Sequence, residues 1–156
     1  MKADDDSARV TFPPPLIYLG FLLVGLAADM VLPRSVNGAF QVRTAGAILL
    51  AGAGLSMIVI ANGLFRKSGT EARPWKTVTA LVDTGIYRFT RNPMYVGMAL
   101  LYAGLALGFA SGAALLLLPV VLVIIQTQVI AREERYMEAK FGANYLDYKR
   151  RVRRWV

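Results

Sequence analysis

Three stretches of the chain gather side chains able to do chemistry. The first is Arg91-Asn92-Pro93-Met94-Tyr95-Val96-Gly97. Asparagine is a favoured N-cap and proline a favoured first helical residue, so a helix is expected to begin here, with Tyr95 in the aromatic belt of a membrane interface. The start of a helix also presents unpaired N–H groups at the positive end of its dipole. That makes an anion site, here edged by a tyrosine and opened one turn in by Gly97. The heptad alone fits both. The second stretch is Glu133-Glu134, flanked by Arg132 and Arg135. Neighbouring carboxylates at the edge of an apolar block repel each other and lose solvation. They read either as an ion-paired helix start or, beside an anion site, as the other half of a site for a ligand carrying both charges. The third is the tail, with Phe141-Gly142, Tyr145, Tyr148, Lys149, Arg151 and Val152. On physics alone it is most simply an interfacial amphipathic helix, each basic residue drawn to anionic lipid by about 1 kcal/mol.

What is missing narrows the chemistry. Without histidine the chain lacks the commonest metal ligand and general base, and without cysteine it has neither thiol chemistry nor disulfides. No metal is expected. Ala51-Gly52-Ala53-Gly54 is not a dinucleotide fingerprint, because it lies inside an apolar helix with no strand before it. The net charge of +8 would fit a nucleic-acid partner on a soluble module, but 56% of the 156 residues are hydrophobic and they stand in long blocks with the charges between. No nucleic acid is expected either.

The elements that must position these groups follow from the blocks. About 20 apolar residues cross a hydrocarbon core of about 30 Å. Four segments come close, at 15–32, 42–65, 93–110 and 113–131, the last two joined by a turn at Ser111-Gly112. A polar loop, 66–92, separates the second from the third, and a C-terminal helix is expected over 132–150. The fold class is therefore all-α, a polytopic membrane protein of about four transmembrane helices plus a C-terminal amphipathic helix, in one domain over 1–156. The N-terminus carries Asp4, Asp5 and Asp6, not the positive region of a secretory signal, so the first block is expected to be a retained helix. Of the Lys and Arg residues only Arg34 and Arg43 fall on one side of these spans. The positive-inside rule then puts both termini and the loop in the cytosol. Gly104 and Gly108 in the third span with Gly112 just after it, and the Ala51–Gly54 patch in the second, predict close helix contact, and Pro119 predicts a bend in the fourth. The tight hairpin of the third and fourth spans makes the Asn92–Gly97 mouth and the Glu133-Glu134 pair neighbours.

Taken together, Leu81-Val82-x-x-Gly85-x-Tyr87, Arg91-Asn92-Pro93-x-Tyr95-x-Gly97, Glu133-Glu134 and Phe141-Gly142-x-x-Tyr145-x-x-Tyr148 resemble the isoprenylcysteine carboxyl methyltransferase and phospholipid methyltransferase superfamily, in order and spacing, from about Phe65 to Val152. The resemblance implies S-adenosylmethionine held by Thr79, Ala80, Leu81 and Val82 of the loop, by Tyr87, by Asn92, Pro93, Met94 and Tyr95 with Gly97, and by Glu133. S-adenosylhomocysteine would be the product. It implies methyl transfer at the membrane–cytosol interface to a lipophilic acceptor: a phospholipid amine, a prenyl-type carboxylate or another small hydrophobic molecule. Asn92 stands where many isoprenylcysteine enzymes have His, matching the Asn-Pro-Met-Tyr form of phospholipid N-methyltransferases. Val129 stands where the isoprenylcysteine enzymes carry a substrate-binding Arg. An amine acceptor must be neutral to react, and Glu134 is the carboxylate left over to take its proton. The alternative is a non-catalytic membrane protein that holds lipid or a partner through its basic face. A channel finds little support, since Asp29 is the only acid inside a span.

Overall fold

The computed structural model describes residues 6–8, 10, 12–31, 36, 39–70 and 77–156. Asp4, Asp5, Arg34 and the last residue of the 15–32 segment lie outside them. Long apolar runs leave the backbone no partner but itself, and in lipid only a helix satisfies every N–H and C=O within one segment. The described residues accordingly form helices α1 (Pro14–Val31), α2 (Phe40–Lys67), α3 (Pro93–Gly108), α4 (Gly112–Ile124), α5 (Ala131–Phe141) and α6 (Ala143–Arg151), with no β-strand among them. A six-residue π-helix, Ile125–Ile130, joins α4 to α5 without a break. Among the described residues three helices, Pro14–Val31, Phe40–Lys67 and Gly112–Phe141, are long and apolar enough to cross a membrane, and α3 is a shorter apolar one.

The expected C-terminal helix is divided differently. Its first half continues the fourth span, and the chain breaks at Gly142, whose φ of 52° a side chain would resist. Helix α6 then turns back as a separate element. Pro119 sits inside α4, and the departure from α-helical hydrogen bonding comes later, in the π-helix. The α3–α4 turn occupies residues 109–111, slightly ahead of the expected Ser111-Gly112. Ala110 takes a φ of 54°, Ser111 is the N-cap of α4, and its Oγ accepts from the Ala114 N–H at 3.1 Å. Asp29, at the end of α1, accepts from Ser111 Oγ and from the Ala113 N–H, so this acid serves as a cap for the start of α4.

Helix α3 packs most closely on α2, through small residues, as expected where lipid provides no hydrophobic push between helices. A Cβ on Gly54 would sit 2.5 Å from the Gly97 carbonyl oxygen and 2.6 Å from the Leu101 nitrogen, and one on Gly104 would sit 2.5 Å from the Ala51 nitrogen. Around Gly52 nothing lies within 4 Å. Gly54→Ala should therefore cost about 1–3 kcal/mol, because two backbones must part. Gly52→Ala should be neutral or gain up to about 1 kcal/mol. Unfolding in detergent by increasing SDS measures both, and equal stability of the two variants would contradict this helix contact.

Candidate functional site

The site grows from the start of α3. Asn92 precedes Pro93 as expected, but its side chain caps nothing. Its amide Nδ2 instead donates to the Arg154 carbonyl at 2.9 Å, a tertiary partner in place of the local one. One turn on, the Tyr95 hydroxyl donates to Glu133 Oε1 at 2.6 Å, and the Tyr95 carbonyl accepts from the Tyr18 hydroxyl of α1 at 3.0 Å. The hairpin of α3 and α4 thus brings the helix mouth and the glutamate pair together.

The two glutamates part company because successive helical residues point in directions about 100° apart. Glu133 faces Tyr95 and the cavity. Glu134 faces two arginines: Oε1 accepts from Arg91 at 2.8 Å and from Arg154 Nε at 3.0 Å, and Oε2 accepts from the second Arg154 nitrogen at 2.6 Å. Only 7% of the Glu134 side chain and 8% of that of Arg91 is exposed, so this pair is desolvated. Arg91 also donates to the carbonyls of Lys149 and Val152, at 2.9 and 2.6 Å. Its Nε is buried with no hydrogen-bond partner among the described residues.

The far wall comes from the loop and the tail. Tyr87, in a 3-10 turn at Gly85–Arg88, meets Phe65 edge-on with ring centroids 5.4 Å apart, and its carbonyl accepts from the Tyr148 hydroxyl at 2.8 Å. Tyr145, Tyr148 and Val152 form a buried cluster with Leu81, Met137 and Phe141. The inner face of α6 is therefore spent on protein and not on lipid. Burial pushes the hydroxyls of Tyr87, Tyr145 and Tyr148 far above the ordinary tyrosine range, so they stay neutral.

These walls enclose a cavity with about 790 Å³ of atom-free space, part of it open to solvent. Of the residues expected at a site, Leu81, Val82 and Tyr87 line it from the loop, and Asn92, Pro93, Met94 and Tyr95 from the mouth of α3. Glu133 and Glu134 line it from α5. Thr79 and Ala80 are not among its lining residues. The Thr79 N–H donates to Thr70 Oγ1 at 2.9 Å, and its hydroxyl donates to the Gly69 carbonyl at 3.2 Å, which closes the loop on itself. Gly97 faces α2, where an added Cβ would meet Gly54 and Ile58. Arg91, Phe65, Met137 and Ala8 also border the cavity, and neither they nor Arg154 were expected at the site from sequence. The i, i+3 spacing of Tyr145 and Tyr148, which puts both rings on one face of a helix, was the signal available for the tail.

Comparison with known proteins points the same way. Over 63 residues the chain is 38% identical to an uncharacterised protein of Haemophilus influenzae, a match covering 40% of this chain and 100% of that protein. Over 72 residues it is 35% identical to the protein-S-isoprenylcysteine O-methyltransferase of Schizosaccharomyces pombe, covering 46% of this chain and 30% of that enzyme. No solved structure matches the chain. The pattern of the phospholipid methyltransferase family matches residues 42–144, more than half of the sequence. With its long apolar helices, the chain is an integral membrane methyltransferase and belongs to the phospholipid methyltransferase family.

Proposed function

We propose that the protein transfers a methyl group from S-adenosylmethionine to a lipophilic acceptor at the cytosolic face of the membrane, with both termini on that side. The observation that carries this reading is the Glu133 carboxylate, half-buried at the mouth of α3 against the Tyr95 hydroxyl and facing a cavity of aromatic and aliphatic side chains. The donor set fits the cofactor. The orphaned Nε of Arg91 and the start of α3 suit a carboxylate, Glu133 suits an ammonium group or ribose hydroxyls, and the walls of Phe65, Leu81 and Tyr87 suit a flat ring or a sulfonium.

When bound, S-adenosylmethionine supplies an electrophilic methyl carbon, to which a lone pair of the acceptor bonds as the carbon–sulfur bond breaks. The protein's part is to position and to exclude water. Glu133 and the α3 mouth fix the charged ends, while Tyr87, Tyr145 and Tyr148 close the polar side. Glu134, expected from sequence to take a proton, has both oxygens engaged by guanidinium groups. Its geometry supports holding the site together better than proton transfer. Two apolar grooves flank α4 within the bilayer region. One lies between α1 and the π-helix, with Leu16, Val24, Gln128 and Arg132, and the other against α3, with Leu100, Leu122, Gln126 and Trp155. They support lateral entry of an apolar acceptor.

Calorimetry of the detergent-solubilised protein tests the donor, and incubation with native lipid extract and methyl-labelled donor identifies the acceptor. We expect micromolar binding of S-adenosylmethionine and S-adenosylhomocysteine and label in a lipid-extractable product. Failure of the intact protein to bind either would favour the non-catalytic reading.

A further inference from the structure

We propose that Arg154 is a positioning residue for the cavity, acting through Glu134 and through the segment that starts α3. The inference rests on the methyltransferase reading above and states how that site is held. The segment Val152–Trp155 lies beyond residue 144, where the family match ends. After α6 the chain becomes extended, with Val152 at φ −121° and ψ 134°, and it runs back beneath the α3 mouth. The Arg153 carbonyl accepts from the Arg91 N–H at 2.9 Å. The Arg154 carbonyl accepts from Asn92 Nδ2 at 2.9 Å and from Thr90 Oγ1 at 3.2 Å. Trp155 Nε1 donates to Gln126 Oε1 of the π-helix at 2.8 Å. Each of the three residues before Pro93 is thus held by the tail.

The Arg154 side chain completes the arrangement. It grips Glu134 with two nitrogens, 3.0 Å to Oε1 and 2.6 Å to Oε2. A two-pronged arginine–carboxylate pair fixes orientation as well as distance, which a point charge does not. Glu134 adjoins Glu133 on one rigid helix, so fixing the first carboxylate fixes where the second stands relative to Tyr95. The tail therefore ties α3 and α5, the two elements that carry the polar groups of the cavity. Arg154 is itself absent from the lining residues and its side chain is 37% exposed. It grips the polar framework from outside.

The test compares four proteins in the same detergent, wild type, Arg154→Ala, Arg154→Lys and Arg150→Ala, by S-adenosylmethionine calorimetry and thermal melting. Arg150 is an exposed residue paired with Asp147 and controls for loss of one charge. Arg154→Ala should weaken binding about tenfold or more with little change in Tm, since misplacement of a site by about 1 Å costs up to about a hundredfold while a part-exposed ion pair adds little stability. Arg154→Lys should fall between, and Arg150→Ala should match wild type. Wild-type affinity in Arg154→Ala, or equal losses in Arg154→Ala and Arg150→Ala, would overturn the inference. If Arg154→Ala does not fold, Arg154→Lys decides: weaker binding at an unchanged Tm supports it, and wild-type binding overturns it. Absence of binding by the wild type overturns the methyltransferase reading itself, and this inference with it.

Discussion

Replacing Arg91 with alanine should destabilise the protein by about 3–5 kcal/mol, the usual cost of stripping one partner from a desolvated ion pair. Glu134 is the group left behind. With its side chain 7% exposed it cannot recover solvation by a small rotation, and Arg154 alone would face it from the solvent side. The loss also frees the Lys149 and Val152 carbonyls and so loosens the end of α6. The double variant Arg91→Met/Glu134→Leu should recover much of the deficit, because it removes the charge together with its partner. SDS-driven unfolding of the three proteins measures this. A cost below about 1 kcal/mol for Arg91→Ala would mean that water reaches Glu134, and the picture of a dry clamp would fail.

The second large effect is on binding. Glu133→Gln keeps size and one acceptor but removes the charge, and it sets an amide against the Tyr95 hydroxyl. We expect S-adenosylmethionine affinity to fall between about tenfold and a hundredfold, since truncating a fully buried charged partner costs about 2–5 kcal/mol, Glu133 is half-buried, and part of the hydrogen bonding survives. Tyr95→Phe removes only the hydroxyl that orients the carboxylate and should cost about tenfold. Because both act on one group, the double variant should bind no more than slightly worse than Glu133→Gln alone. Fully additive losses would show that Tyr95 and Glu133 work separately, contrary to their 2.6 Å hydrogen bond. Lys149→Ala is the control: its side chain pairs with Glu138 away from the cavity, and the variant retains the carbonyl that Arg91 uses.

The helices were legible in the sequence because lipid enforces long apolar runs, and the start of α3 could be placed at Pro93 from asparagine and proline alone. The meeting of Tyr95 and Glu133 was legible too, as a consequence of a tight hairpin. Which face of α3 carries Gly97 was not. A helix that is apolar all round has no polar side to mark its outside, so the hydrophobic pattern cannot say that Gly97 packs on Gly54 and not on a ligand. The use of Asn92 escaped for another reason. Its capping propensity is local, and a carbonyl 62 residues later competes for the same amide. Arg91, Glu134 and Arg154 are likewise joined across 43 and 20 residues, and in a chain with 18 Lys and Arg no spacing picks out those two arginines.

The brevity of α3 has a consequence for the membrane itself. Its 16 residues rise about 24 Å, roughly 6 Å less than the hydrocarbon thickness of a typical bilayer. The neighbouring α2, with 28 residues, has length to spare. With α3 as a span, lipids bordering it are expected to thin or tilt, which would draw their headgroups toward the Asn92–Tyr95 mouth. On the proposed topology, such a mismatch would bring the polar end of a lipid toward the cavity without lifting its tails out of the bilayer. It also makes acyl-chain length a property of the surroundings to which the enzyme should respond.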